Sequence, residues 1–284
     1  MKLLEREERE IDLRIARGYL KRKKIVVTGA AGSIGSEICR QLIGLGLDVI
    51  ALDNAETPLH ELCLELPTVQ PMLVDILRIP HNNSFDVCFH AAAYKHVSMC
   101  EMFQDVAFDV NVGGTNMMRQ LSKQFILIST DKAADPKCVM GRLKRYAEND
   151  TRTFGHTFVR FGNVIGSNGS VLKIWEKQIA EGRNLTVTDK DATRYFMTIP
   201  EAAKFVIATS VMPRGGYVLD MGEPVSIDVL AKRFIELSGN NVGIDYTGLK
   251  EGEKLHEVLY SNNETLQETK VKGIFRISKE SQLS

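Results

Sequence analysis

The run Lys24-Ile-Val-Val-Thr28, followed at once by Gly29-Ala-Ala-Gly32-Ser-Ile-Gly35, constrains this chain more than any other stretch. A short, β-branched apolar segment that breaks off into glycines reads as a buried parallel strand. Ile38, Leu42 and Leu45 then recur at helical spacing, so the glycines open a helix from Ser36 to Leu45. A second strand, Asp48 to Leu52, ends at Asp53. Strand, glycine turn, helix, strand and terminal acid follow the dinucleotide fingerprint, in which the acid comes ~20 residues after the glycines. Gly29 serves the tight turn, Gly32 the approach of backbone to a pyrophosphate, and Gly35 the packing of helix on strand. Ser33 and Ile34 begin the helix whose N-terminus would face the negative charge. Asp53 is placed to accept from both adenosine ribose hydroxyls and would repel a 2′-phosphate, so NAD is expected rather than NADP.

Further strands are predicted at Met72 to Val74, Phe85 to His90, Phe125 to Ser129 and Thr157 to Phe161, with helices at Leu59 to Leu66, Asp105 to Lys123 and Gly141 to Phe154. Strands alternating with helices at this pitch predict an α/β fold, a Rossmann doubly wound parallel sheet that binds ligands at the carboxyl ends of its strands. Asp75, with Ile76 beside it, ends the third strand and either accepts from the adenine amino group or caps a turn. Ala91 and Ala92 form a small-residue wall beside the cofactor. Past residue 165 the alternation loosens. This divides the chain into an arm (1–20), an NAD-binding domain (21–165) and a smaller C-terminal substrate-binding lobe (166–284) with segments returning to the main sheet. Leu3, Leu4, Ile11, Leu13 and Ile15 would lay the arm on the domain, as a packed lead-in or a partner-binding element.

Composition excludes several classes. The 36 basic and 36 acidic side chains cancel, which argues against a broadly basic nucleic-acid surface. No apolar run approaches the roughly 18 residues of a membrane span, and the charged N-terminus has no signal core. Five cysteines without a CxxC pair suit a reduced, cytoplasmic compartment. No His/Cys/Asp cluster has metal-ligand spacing, so no metal is expected.

The chemistry is expected where the fifth strand ends, at Ser129-Thr130-Asp131-Lys132. Met140 and Lys144 lie one helical turn apart and face the same way. Lys144 would hold the nicotinamide ribose and lower the pKa of nearby acids. The segments TGAAGSIG, AAAYKHV, NVGGT, STDKA, VMGRLKR and RFGNVIGSNGSV resemble the extended short-chain dehydrogenase/reductase superfamily. TRYFMTIPEA and GEKLHEVL narrow the likeness to the UDP-N-acetylglucosamine 4,6-dehydratases of bacterial capsule and glycan biosynthesis. The match spans roughly residues 10 to 276.

That resemblance implies oxidation at C4 of the sugar, loss of water across C5 and C6, and return of the hydride to C6. By position, Asp131 resembles the acid at the C6 hydroxyl, Lys132 the base at C5, Thr130 the hydroxyl bonded to the C4 oxygen, and Lys144 the ribose-binding lysine. Desolvation and Lys144 are expected to help Lys132 lose its proton. Met140 departs from the superfamily, which usually has a tyrosine there. A branch of these dehydratases shares the methionine, and Asp131, acting through Thr130 or a water, is expected to take the proton instead. Asn163, the Gly166 to Ser170 loop, Arg194, Lys250 and Glu253 resemble contacts to the nucleotide-sugar, although Lys250-Glu251 replaces the usual Arg-Pro. Lys95 and His96 would stand near the substrate entrance, or merely be solvated. Homo-oligomers pairing through the helices near 105–123 and 141–154 are expected. The rival readings are a UDP-sugar epimerase and a non-catalytic NAD-binding regulator.

Overall fold

A computed structural model describes residues 8–279. The first six strands are β1 (Ile25–Thr28), β2 (Val49–Asp53), β3 (Gln70–Leu73), β4 (Phe85–His90), β5 (Ser122–Ile128) and β6 (Thr157–Arg160). All pair in parallel, with β1 between β2 and β4. Three later segments extend this nine-stranded sheet beyond β6. Gly216–Leu219 joins it in parallel, then Ile274–Lys279 and Glu264–Glu268 add antiparallel. The strand order reverses at β1, and a cleft opens there between the loops after β1 and β4, as a doubly wound sheet requires. The interval from Asp53 to Asp75 holds a ten-residue helix and an edge strand, β3.

Side chains alternate across the sheet, and both faces are buried. Val27, Val87, Phe89 and Ile126 belong to one apolar layer, while Val26, Cys88, Phe125 and Leu127 belong to the other. The first layer is covered by α2 (Ser33–Gly44) and α3 (Glu56–Glu65), together with the helix Ile199–Ala208. Beyond α4 (Val97–Met102) and α5 (Gln104–Phe108), α6 (Thr115–Gln120) and α7 (Val139–Thr153) supply Met118 and Ala147 to the second layer. A separate apolar cluster gathers around the fully buried Trp175, whose indole N–H donates to Thr186 O at 2.9 Å.

Three expectations need correction. The helix predicted from Asp105 to Lys123 is broken by a π-helical turn, Asp109–Gly114, and ends at Gln120, with Ser122 already opening β5. Gly113-Gly114 resists a regular helix, and the Asn111 side chain is drawn off to the Tyr94 backbone. In the arm, α1 (Arg14–Leu20) buries Ala16 and Leu20 but leaves Ile15 exposed. Ile11 and Leu13 do pack on the core, whereas Leu3 and Leu4 lie outside the described residues. The third strand ends at Leu73, so Asp75 sits in the turn beyond it.

Candidate active site

A cavity of 690 Å³ runs along the carboxyl ends of β1, β2, β4 and β5. At one end are Gly29, Gly32, Ser33, Ile34, Gly35 and Asp53, with Asp75 and Ile76 beside them. Gly29 has φ +61°, and a Cβ there would fall 2.6 Å from Ala92 N, so this backbone pairing excludes any larger residue. Gly32 caps α2 without any side-chain hydrogen bond, leaving the first N–H groups of the helix open to an acceptor. Asp53 is more than a ribose acceptor. Its two oxygens take Ala31 N–H at 2.9 Å and Ala55 N–H at 3.0 Å, tying the glycine turn to the loop after β2. Each oxygen retains a further lone pair. Asp75 accepts from Leu77 N–H at 2.9 Å, the turn-capping role, while still lining the cavity.

The wall after β4 depends on residues to which sequence reasoning assigned no individual role. His90 is buried between Thr28 Oγ1, 2.8 Å from Nδ1, and Thr115 Oγ1, 3.2 Å from Nε2. Burial, aided by Lys144, pushes its pKa down to about 3, so the imidazole is neutral. Thr115 already donates to Asn111 O, so it accepts from the Nε2–H tautomer, and Thr28 donates to Nδ1. Thr28 in turn accepts from Ala92 N–H at 3.3 Å. Asn111 clasps the Tyr94 backbone through both its N–H and its carbonyl, fixing Ala91 and Ala92 beside the glycine turn.

At the other end lie Ser129, Thr130, Lys132, Met140 and Lys144. Thr130 Oγ1 donates to Asp131 Oδ1 at 2.8 Å, and Lys132 Nζ donates to the same oxygen at 3.1 Å. Asp131 is fully buried and does not itself line the cavity, so Thr130 and Lys132 stand between it and any ligand. Its other oxygen, Oδ2, has no hydrogen-bond partner among the described residues. Helix α7 closes on this turn through Gly141, where a Cβ would fall 2.6 Å from Lys132 O. Lys144 donates to Ile128 O at 3.0 Å, and burial lowers its pKa to about 8 against the pull of Glu148.

Lys132 behaves contrary to expectation. Burial alone would lower its pKa, but Asp131 and Glu257 outweigh burial and Arg194, and the net direction is upward. Glu257 was not singled out from sequence. It comes from the GEKLHEVL segment, which a bridge between Thr193 and His256 brings to the site, and its Oε1 lies 3.4 Å from Lys132 Nζ.

The substrate candidates separate into two groups. Lys95, His96 and Asn163 line the cavity with the 167–170 loop; Lys95 Nζ donates to Asn168 O, and His96 packs under Gly169. Arg194, Lys250 and Glu253 do not line it. Arg194 donates to Thr193 O and Leu255 O at 2.8 and 3.0 Å, and Glu253 accepts from Lys250 N–H at 3.2 Å. Among the described residues, no group of three His, Cys, Asp or Glu side chains is placed to hold a metal, and no helix is long and apolar enough to cross a membrane.

The family model described as polysaccharide biosynthesis protein matches residues 25–279. The chain is 39% identical to the capsular polysaccharide biosynthesis protein CapD of Staphylococcus aureus, over 96% of this chain and 51% of CapD. It spans about half the length of that relative. The structure of Pen from Bacillus thuringiensis is similar with a TM-score of 0.83 and 28% identity, over 92% of this chain and 90% of Pen. The Thermus thermophilus UDP-glucose 4-epimerase, solved in complex with NAD, shares the fold at a TM-score of 0.73 and 21% identity, over 83% and 89% of the two chains. From the length of the family match and the identity to CapD, the chain belongs to the polysaccharide biosynthesis protein family.

Proposed function

We propose that this protein is an NAD-dependent nucleotide-sugar enzyme of polysaccharide biosynthesis, a hydro-lyase that converts UDP-N-acetylglucosamine to a UDP-4-keto-6-deoxy-hexosamine. The carrying observation is the meeting of Thr130, Asp131 and Lys132 within 3.1 Å at the cavity wall. Elimination needs one proton delivered and another removed on adjacent carbons, and this cluster supplies both functions side by side.

The residues present fit NAD. Gly29, Gly32 and Gly35 line the cavity beside the uncapped N-terminus of α2, which suits a pyrophosphate. Asp53 keeps acceptor capacity for the ribose hydroxyls, Asp75 and Ile76 flank the adenine end, and Lys144 stands at the nicotinamide ribose end. When bound, NAD supplies a hydride acceptor that is regenerated in every turnover. The named complex with the Thermus epimerase supports this assignment.

Met140 has no proton to exchange. Thr130 takes over, passing the proton of the C4 hydroxyl to Asp131 through the 2.8 Å hydrogen bond already in place. Lys132 works at C5, and Asp131 delivers its proton at C6 back through the Thr130 hydroxyl. Lys95, His96 and Asn163 are assigned to the nucleotide-sugar. Arg194, Lys250 and Glu253 are assigned to the outer segment that shapes the uridine end, with Arg194 anchoring backbone.

A UDP-sugar epimerase is the second reading, favoured by the fold shared with the Thermus enzyme. Proton NMR of the protein with NAD and UDP-N-acetylglucosamine in D₂O separates the two. The dehydratase reading expects a new C6 methyl signal with deuterium at C5. A C4-epimerised sugar without a methyl signal would transfer the assignment to the epimerase. Tight NAD with an unchanged sugar would favour a non-catalytic regulator.

A further inference from the structure

We propose that Glu257 is the proton partner of Lys132, taking a proton from its ammonium before C5 is attacked and returning it once the product forms. The inference rests on the dehydratase reading above and gives that site a second carboxylate.

The geometry is compact. Lys132 Nζ lies 3.1 Å from Asp131 Oδ1 and 3.4 Å from Glu257 Oε1, and both carboxyl side chains are buried, at 0% and 3% exposure. Each turns one oxygen to the lysine and leaves the other, Asp131 Oδ2 or Glu257 Oε2, buried with no hydrogen-bond partner among the described residues. A buried carboxylate oxygen with no donor has lone pairs open to a proton. Arg194 is the other charged group acting on Lys132, and Tyr195 lies near Asp131. Asp131 and Glu257 together hold Lys132 as an ammonium in the resting protein, so it starts with a proton it must lose before acting as a base.

Counting protons requires a second acceptor. As hydride leaves C4, the C4 hydroxyl proton passes through Thr130 to Asp131, which becomes a carboxylic acid. That proton is reserved for the C6 oxygen, which leaves as water when its C–O bond breaks and the C5–C6 double bond forms. Asp131 is therefore already protonated when Lys132 must become a neutral amine. Glu257 is the remaining carboxylate in contact. An N–H bond of Lys132 breaks and an O–H bond of Glu257 forms. Lys132 takes the C5 proton, then delivers a proton to C5 as hydride reaches C6. Glu257 finally returns its proton to Lys132, and all three side chains regain their starting states. The water carries away the C6 oxygen, its own hydrogen and the former C4 hydroxyl proton.

The test compares wild type with Glu257→Gln and Glu257→Asp, each checked for native fold by circular dichroism and for retained NAD by absorbance. The first readout needs no substrate. Reductive methylation with formaldehyde, followed by peptide mass spectrometry, reports how readily Lys132 presents a neutral amine at pH 8. Losing the Glu257 charge should speed labelling of Lys132 by about tenfold, because one carboxylate no longer favours the ammonium. Labelling equal to wild type would show that Glu257 does not govern this lysine and would overturn the proposal.

The second readout is turnover of UDP-N-acetylglucosamine from pH 7 to 9. In Glu257→Gln, kcat should fall by about 100-fold at pH 7 with KM nearly unchanged, and should climb with pH as solvent takes over the proton. Glu257→Asp should lie between that variant and wild type. A fall in kcat with no added pH slope would reduce Glu257 to a structural contact and overturn the relay. If wild type itself forms no 4-keto-6-deoxy product, the dehydratase reading fails, and the labelling result still decides whether Glu257 controls Lys132.

Discussion

The backbone N–H of Asn168 donates to Ser33 Oγ at 2.8 Å, joining the 166–170 loop to the turn that opens α2. Asn168 O meanwhile accepts from Lys95 Nζ. One residue thus bridges the two cavity walls that the sequence places far apart. Ser33→Ala removes the acceptor from this latch. A single neutral hydrogen bond contributes about 1 kcal/mol net, so hydrogen exchange across 166–170 should speed up about fivefold. Exchange confined to wild-type rates in that segment would show that the latch does not hold the loop.

Lys144 links stability to function. Burial holds its pKa at about 8 in the folded protein, whereas a free lysine titrates near 10.4. Between those values the unfolded chain binds a proton that the folded protein has lost, so stability rises with pH across the window. Below pH 8 the folded state carries the full penalty of about 3 kcal/mol. Lys144→Met should therefore unfold at higher urea than wild type at pH 7, with the advantage shrinking toward pH 10.5. The same variant should lose NAD on gel filtration, because the proposed ribose contact is gone. A stability difference independent of pH would refute the linkage.

A second charged cluster stands behind the site and holds the late strands to it. Arg160 is fully buried and donates to Glu148 Oε1 at 2.7 Å and to Glu264 Oε2 at 2.7 Å, while Ser129 Oγ donates to Glu148 Oε1 at 2.6 Å. Arg160→Met would strand two buried carboxylates and should cost ~3–5 kcal/mol. Burial would raise the pKa of Glu264, but Arg160 and Arg145 hold it down to about 2. Because the folded value is depressed, this contribution is present above the unfolded pKa of about 4.3 and disappears as pH falls toward 2. Glu264→Gln should be less stable than wild type at pH 7 and nearly equal to it near pH 2. Parallel urea curves at both pH values would contradict that account.

The glycine turn, Asp53 and the parallel order of β1 to β6 were legible because each depends on local pattern: a strand, its turn and the helix that follows. Glu257 was not, since it reaches Lys132 only through the pairing of His256 with Thr193, and such long-range registers leave no periodic trace. The same gap reversed the expected direction at Lys132. Sequence placed Asp131 and Lys144 near it but could not count the second carboxylate that outweighs burial. Arg194, Lys250 and Glu253 came from the resemblance to nucleotide-sugar contacts; Arg194 donates to two backbone carbonyls, and none of the three lines the cavity. The break at Asp109–Gly114 was hidden because apolar spacing continues through it, whereas the buried hydrogen bonds of Asn111 decide the geometry.

Exposed apolar side chains gather along α4 and α5. Met102 is 71% exposed, and Met99, Phe103 and Val106 are about half exposed; Tyr146 adds to this face from α7. Patches of this kind on adjoining helices mark association surfaces, and a two-fold pairing would set the same face of each copy against the other. A stable pair generally buries about 800 Å² from each partner, so a larger face that includes α7 suits pairing better than two short helices alone. We therefore expect a dimer through α4, α5 and α7. Phe103→Glu places a charge in the middle of that face, where an unpaired buried carboxylate is strongly unfavourable, and should weaken pairing by about 100-fold or more. Sedimentation velocity should show wild type as a dimer and the variant as a monomer at the same micromolar concentration. Identical sedimentation of the two proteins would place any oligomer contact elsewhere and leave these side chains to another partner.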